Sequence, residues 1–311
     1  MAVEPAVAGG ALESVRADID VVLSDYLETC ASDLGRIDTN APLLVEEIAR
    51  LVLAGGKRLR PAFCVWAYRA AASEAPAQAQ APVASRGHDP GSIVRAAAAL
   101  ELLHTMALIH DDLIDAATER RGVVATAPHL RAEAVERGFP VDAQSFGDAA
   151  ALLAGDLAAV LADRLFLTSG FDPAAITRAL VPYHEMRLDM AAGQLLDVAG
   201  LASDPGVALH AARLKGGSYT VHGPLMVGAA LAGDRPDLRT ALRAFAAPLG
   251  DAFQLRDDVL DREGAHGATP ATVNALVERA RVILREALRE TPVDPDAASA
   301  LDALAAMVSL R

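Results

Sequence analysis

The chain has 311 residues, 52% of them hydrophobic and 22% charged, with a formal net charge of −13. That is enough apolar material for a large core in one or two domains. So acidic a balance excludes a general nucleic-acid binder, which needs a basic face, yet it leaves anionic substrates open, because metal ions and a few local cations can reverse the field inside a pocket.

Residues 1–12 lack a basic segment followed by a long apolar run, so they read as a flexible terminus and not a signal peptide. Leu43, Leu44, Ile48, Leu51 and Leu53 then form a stripe at helical spacing. After a glycine pair comes GGKRLRP, Gly55 to Pro61, with Lys57, Arg58 and Arg60. Residues 74–92, rich in Ala, Pro and Gln, resemble a flexible loop. Val94, Ala97, Leu100, Leu103, Met106, Ala107 and Ile109 make a second helical stripe. The apolar run AAALLAGDLAAVLADR is cut by Gly, Asp and Arg, as are its like elsewhere, so no stretch reads as long enough to span a membrane. GQLLD, with Gly193, Gln194 and Asp197, sits in a further helical stretch, and Lys215 stands in LKGGSYT. Residues 262–268 form a short connection. Thr269-Pro270 is an N-cap with proline at the first helical position of a third stripe, Val273, Leu276, Ala280, Ile283, Leu284 and Leu288. Sustained strand-type alternation is absent. The expectation is an all-α protein, a single large helical bundle over 1–311. Cys30 and Cys64 do not make a disulfide framework and read as reduced thiols. A cytoplasmic protein without stable membrane insertion follows.

The chemistry lies in one pattern written twice: DDLID, with Asp111, Asp112 and Asp115, and DDVLD, with Asp257, Asp258 and Asp261. On a helix, residues four apart share a face and the second Asp lies beside them. Like charges about 4 Å apart repel by ~4 kcal/mol at an effective dielectric near 20, so something must offset six acids in apolar surroundings. Mg²⁺ suits them: it takes one or two carboxylates, keeps waters and completes its shell with phosphate oxygens. Calcium-loop geometry and zinc-type Cys/His spacing are both absent. A single such motif reads equally well as a solvated acidic helix end, but two copies point to two walls clamping one polyphosphate through several Mg²⁺ ions. Lys57, Arg58 and Arg60 could grip phosphate beside the glycines, although RLRP alone is also an ordinary basic helix start. Arg120, Arg121 and Gly122 follow the first motif by about two helical turns. Gln194 alone is more often a helix–helix hydrogen bond than a ligand.

Together these residues resemble the trans-isoprenyl diphosphate synthases, the polyprenyl synthetase family. LIHDDLIDAATERRG resembles the family's first aspartate-rich motif with its RRG tail, and DAFQLRDDVLD the second with its Phe-Gln. GGKRLRP, GQLLD and the Lys215 region are three further signatures in family order, and the similarity runs from about residue 20 to 263. The resemblance implies an isoprenoid-synthase-type helical bundle around a central cavity, and a homodimer. It implies that Asp111, Asp112, Asp115, Asp257, Asp258 and Asp261 bind Mg²⁺, three ions per site, bridging to an allylic diphosphate. Arg120 and Lys215 would touch that diphosphate; Lys57, Arg60, His104 and Arg121, with Arg58 alongside, would hold isopentenyl diphosphate; Gln194 belongs with the substrate-binding set. Phe253 and Gln254 would lie near the reacting carbons. Met106 and Ala107, one turn before Asp111, would set product length. Neither is an aromatic plug, so C20 is the central expectation.

The chain departs from the family after the second motif, where DREGAHGATP replaces a Gly- and Lys-rich loop and no lysine follows Lys215. Gly216 stands where the family has Thr or Ser. Three functions stay open on these residues: a chain-elongating prenyltransferase, a terpene cyclase that would not need Lys57 and Arg60, and a non-catalytic partner subunit.

Overall fold

The computed structural model describes residues 5–72, 89–120, 122–201, 205–260, 269–291 and 293–310. These are almost wholly helical: α1 Pro5–Gly35, α2 Pro42–Leu53, α3 Leu59–Ala72, α4 Pro90–Ile114, α5 Thr126–Glu136, α6 Ala143–Leu167, α7 Pro173–Val198, α8 Pro205–Ala212, a π-helix Arg213–His222, α9 Gly223–Ala232, α10 Pro236–Leu260, α11 Pro270–Glu290 and α12 Pro295–Ala306. The one exception is a two-residue antiparallel ladder, β1 Glu119–Arg120 and β2 Val123–Val124, paired Glu119 to Val124 and Arg120 to Val123.

Proline punctuates the helix starts, where its missing N–H is no loss. Short polar side chains cap them: Asp142 accepts from Ser145 N, Asp172 from Ala174 N and Ala175 N, Asp294 from Asp296 N and Ala297 N. Thr269 caps α11 as expected, accepting from Thr272 N at 3.1 Å with Pro270 at the first helical position.

The chain packs as two compact units. The first comprises Met1–Val15, Leu59–Ile93 and Gly170–Arg311. Here α3 packs on α9, the π-helix lies against both α7 and α10, and α11 packs on α10 and α12. The approach of α9 to α3 is possible because residue 228 is glycine: a Cβ there would overlap the Cys64 carbonyl oxygen. Of the expected α11 stripe, Val273, Ala280 and Leu284 are buried, while Leu276, Ile283 and Leu288 are half-buried; Val277, which the stripe did not include, completes the buried face.

The second unit comprises Arg16–Arg58 and Val94–Ser169. Its α2 buries Leu43, Val45, Ile48, Leu51 and Val52, while Leu53 is exposed. The stripe is thus turned slightly from the one expected, because Val45 and Val52 share the buried arc. Leu43, Leu130 and Ala150 join α2, α5 and α6, with Phe139 and Phe146 edge to face beside them.

Three expectations change. Helix α1 begins at Pro5, so residues 5–12 are helical. Helix α4 begins at Pro90, so the expected 74–92 loop ends earlier, and its part up to 88, like the 262–268 connection, lies outside the described residues. Residues Gly91–Ile114 do form a helix long and apolar enough by length and composition to cross a membrane, but its most apolar window is 72% buried inside the protein. That apolarity is what a largely buried core helix needs.

Gly228→Ala is expected to destabilise the fold by about 1–3 kcal/mol through overpacking against Cys64, read as a lower denaturant midpoint at unchanged slope.

Candidate active site

Asp111 and Asp112 occupy the last turn of α4, and Asp115 follows its end. Asp115 N still bonds to Asp111 O (2.9 Å). Ala116 N then bonds to Leu113 O (3.4 Å) and Ala117 N to Asp112 O (2.8 Å), closing the helix with a Schellman-type cap. The left-handed position in that cap is Ala116, φ +50°, where glycine is usual. The chain therefore turns back at once. Arg120 is not two helical turns further along, as its spacing suggested; it lies on a hairpin that returns it to α4.

Arg120 Nε donates to Asp112 Oδ1 at 2.7 Å, Nη2 also donates to that oxygen, and Nη2 lies 3.5 Å from Asp111 Oδ2. The Asp112 bond raises the guanidinium's pKa despite partial desolvation. The hairpin is itself anchored: Arg50 Nη2 donates to Val124 O at 2.8 Å, and Arg50 grips the buried Glu47 carboxylate through both oxygens (2.6 and 2.7 Å). Nδ1 of His129 lies 2.8 Å from Glu47 Oε2.

Among the described residues, three aspartates and one arginine leave this cluster negative at the C-terminal end of a helix, where the macrodipole also disfavours anions. Asp112 is 3% exposed, and its Oδ2 has no hydrogen-bond partner among the described residues. A buried carboxylate oxygen left in that state carries a desolvation penalty, which a hard cation removes. The donor set thus fits Mg²⁺. Among the described residues no three acidic, His or Cys side chains converge to enclose an ion alone. His104 is buried on the same helix, and Met106 and Ala107 are half-buried.

The turn between α2 and α3 exposes Lys57. Gly55 takes φ +109°, which only glycine adopts easily, and Arg58 takes φ +51°. Contrary to a substrate-facing role, Arg58 is buried: it donates to Asp20 Oδ1, Glu101 Oε2 and Val52 O.

The second motif belongs to the other unit. Asp257 is exposed to an intermediate degree in the last turn of α10, and Arg256 Nη1 lies 4.0 Å from its Oδ1. Asp258 is on the same turn; Asp261 and Arg121 lie outside the described residues. Glycines set the geometry around Lys215. A Cβ at Gly193 of α7 would stand 2.7 Å from Lys215 N, and one at Gly250 of α10 would stand 2.9 Å from Gly217 Cα. The π-helix carrying Lys215 is thus held at backbone distance from both neighbours, in a conformation that is rare and frequently found at functional sites. Lys215 Nζ donates to Asp197 Oδ2 at 3.2 Å. A Cβ at Gly216 would overlap Gln254 Oε1, so the Gln254 amide fills the space that a side chain at 216 would take. Phe253 is half-buried. Gln194 is likewise on α7, one residue after the close approach at Gly193. Arg60 donates from Nη2 to Thr220 Oγ1 at 2.7 Å, with its guanidinium 4.9 Å from the Tyr219 ring centre.

Sequence reasoning missed Asp197 as the partner of Lys215, although it stands three residues after Gln194 on the same helix. It also missed Asp20 and Glu101, which carry no local motif.

The sequence profile of the polyprenyl synthetase family matches residues 41–270. The chain is 33% identical over 259 residues to the farnesyl diphosphate synthase of Geobacillus stearothermophilus, covering 79% of this chain and 73% of that one. It is 31% identical to the chloroplastic heterodimeric geranylgeranyl pyrophosphate synthase large subunit 1 of Arabidopsis thaliana, over 71% of this chain but only 54% of that protein. Among solved structures, the geranylgeranyl pyrophosphate synthase of Corynebacterium glutamicum, complexed with isoprenyl diphosphate and magnesium, superposes with a TM-score of 0.81 at 25% identity, covering 96% of this chain and 99% of that one.

Ala116→Gly is expected to stabilise the protein by about 0.5–1 kcal/mol by relieving the left-handed alanine that ends α4, read as a higher thermal midpoint.

The match over most of its length, together with the shared helical fold, makes this chain a member of the polyprenyl synthetase family of prenyltransferases.

Proposed function

We propose that this chain condenses an allylic diphosphate with isopentenyl diphosphate to give a longer trans-prenyl diphosphate, C20 being the central product. The observation that carries the reading is the buried Asp112 oxygen without a partner among the described residues, in a carboxylate cluster that Arg120 part-neutralises. A second observation supports it. Of the chain's 28 Lys and Arg residues only Lys57 and Lys215 are lysines, and both fall at positions where the resemblance puts a diphosphate. Lysine offers a compact point charge with three donors, unlike the planar fork of arginine.

Asp111, Asp112, Asp115, Asp257, Asp258 and Asp261 would hold Mg²⁺, three ions per site. Bound Mg²⁺ neutralises charge growing on the leaving diphosphate, an effect worth several kcal/mol. Arg120 and Lys215 bind the same leaving group; Lys57, Arg60, His104 and Arg121 hold isopentenyl diphosphate. The allylic C–O bond breaks, the double bond of isopentenyl diphosphate attacks the allylic carbon, and a proton passes to the released diphosphate. Phe253 and Gln254 stand by the reacting carbons, where apolar walls keep water from the cation.

We place the protein in the cytoplasm, in keeping with two free, buried cysteines. We further take it to be a homodimer. Leu153, Val160 and Leu167, seven residues apart on α6, are 55%, 61% and 51% exposed, a row that a second copy would cover.

Incubating the protein with Mg²⁺, isopentenyl diphosphate and dimethylallyl, geranyl or farnesyl diphosphate should yield longer diphosphates. Hydrocarbons or alcohols formed without isopentenyl diphosphate would instead identify a cyclase, and no turnover at high Mg²⁺ a non-catalytic subunit. Asp111→Ala and Asp257→Ala should each lower turnover at least a hundredfold, on the order of 3 kcal/mol of transition-state stabilisation; near-normal rates in both would refute the metal assignment. Met106→Phe should shift the product spectrum to shorter chains by chromatography, and an unchanged distribution would remove Met106 from length control.

A further inference from the structure

Arg58 directs its guanidinium into the protein. Its side chain is 1% exposed, and it donates from Nε to Asp20 Oδ1 (2.8 Å), from Nη1 to Glu101 Oε2 (2.8 Å) and from Nη2 to Val52 O (2.6 Å). Those acceptors belong to α1, α4 and the end of α2. Glu101 is itself 3% exposed, so withdrawing the guanidinium toward a ligand would leave a buried carboxylate unpaired, which is strongly unfavourable. The Arg58 backbone is left-handed at φ +51°, a state that persists in a non-glycine residue only where surroundings over-determine it. Here the three bonds do so. The same arginine ties the turn that exposes Lys57 to the stretch of α4 one helical turn before His104, where Thr105 Oγ1 also donates to Glu101 O at 2.8 Å.

We infer that Arg58 is a positioning residue: it does not touch a diphosphate but locks the 54–58 turn onto α4, setting Lys57 relative to His104. The inference rests on the proposed condensation for its kinetic consequence and on geometry alone for its structural one.

Two measurements on Arg58→Lys and Glu101→Gln test it. In the ligand-free protein, amide hydrogen exchange at residues 54–57 should speed up by about tenfold in both variants, because the turn opens locally once its tie is weakened. In steady-state assays both should raise KM for isopentenyl diphosphate by about tenfold, with kcat at saturation and KM for the allylic substrate changed less than about threefold. A ligand role makes the opposite forecast for Glu101→Gln, since freeing Arg58 would leave KM unchanged or lower. Wild-type KM and exchange in Glu101→Gln, with a raised KM in Arg58→Lys, overturns the inference; so does faster exchange with unaltered KM. If the wild type does not condense substrates, the proposed reaction fails alone, and the exchange data still decide whether Arg58 holds the turn. Should either variant fail to fold, Asp20→Asn carries the same test with a smaller change, because Asp20 is 37% exposed.

Discussion

Carboxylates gathered at the C-terminal end of α4 are the constraint on which the arrangement around them depends. Asp111 and Asp112 close α4, and Asp257 and Asp258 lie in the last described turn of α10. The end of α4 is a place where backbone carbonyls already present partial negative charge. Such an arrangement lowers stability in the absence of cations and becomes favourable when cations and cationic side chains arrive. Arg120 supplies part of the compensation, and Asp112 Oδ2 has no partner among the described residues.

Holding such a cluster open requires a scaffold that does not relax around it. In one unit the scaffold is built from buried ion pairs. Glu47 with Arg50 pins the hairpin that delivers Arg120, while Glu101 and Asp20 hold Arg58. Pairs of this kind add little net stability but are costly to break on one side, so they specify geometry more than they strengthen the fold. In the other unit the device is the absence of side chains. Gly193, Gly217 and Gly250 let α7, the π-helix and α10 meet at backbone distance, which sets Lys215 beside Asp197 and Gln254 over Gly216.

Much of this was readable from residue order. The helical period of α2, α4 and α11 and the Thr269-Pro270 start of α11 followed from local rules, and so did the crowding of Asp111 and Asp112 in one helical turn. These are properties of neighbours three or four apart, where a helix brings side chains together whatever the rest of the chain does. The Leu53 error and the shorter 74–92 loop are slips of one turn at element ends, where local signals are weakest.

What lay beyond reach of residue order were the pairings set by distance along the chain. Nothing near Arg58 announces Asp20 or Glu101, 38 and 43 residues away. An arginine in GGKRLRP reads as a phosphate grip until packing buries it. The return of Arg120 to Asp112 likewise depended on a left-handed alanine, a conformation that composition does not favour and that only the closed helix end imposes. Which residues carry charge, and that two acidic motifs stand in helical stretches, was local and legible. The assignment of each cation, to a ligand or to the scaffold, was not, because burial decides it, and burial belongs to the packed chain and not to any stretch of it.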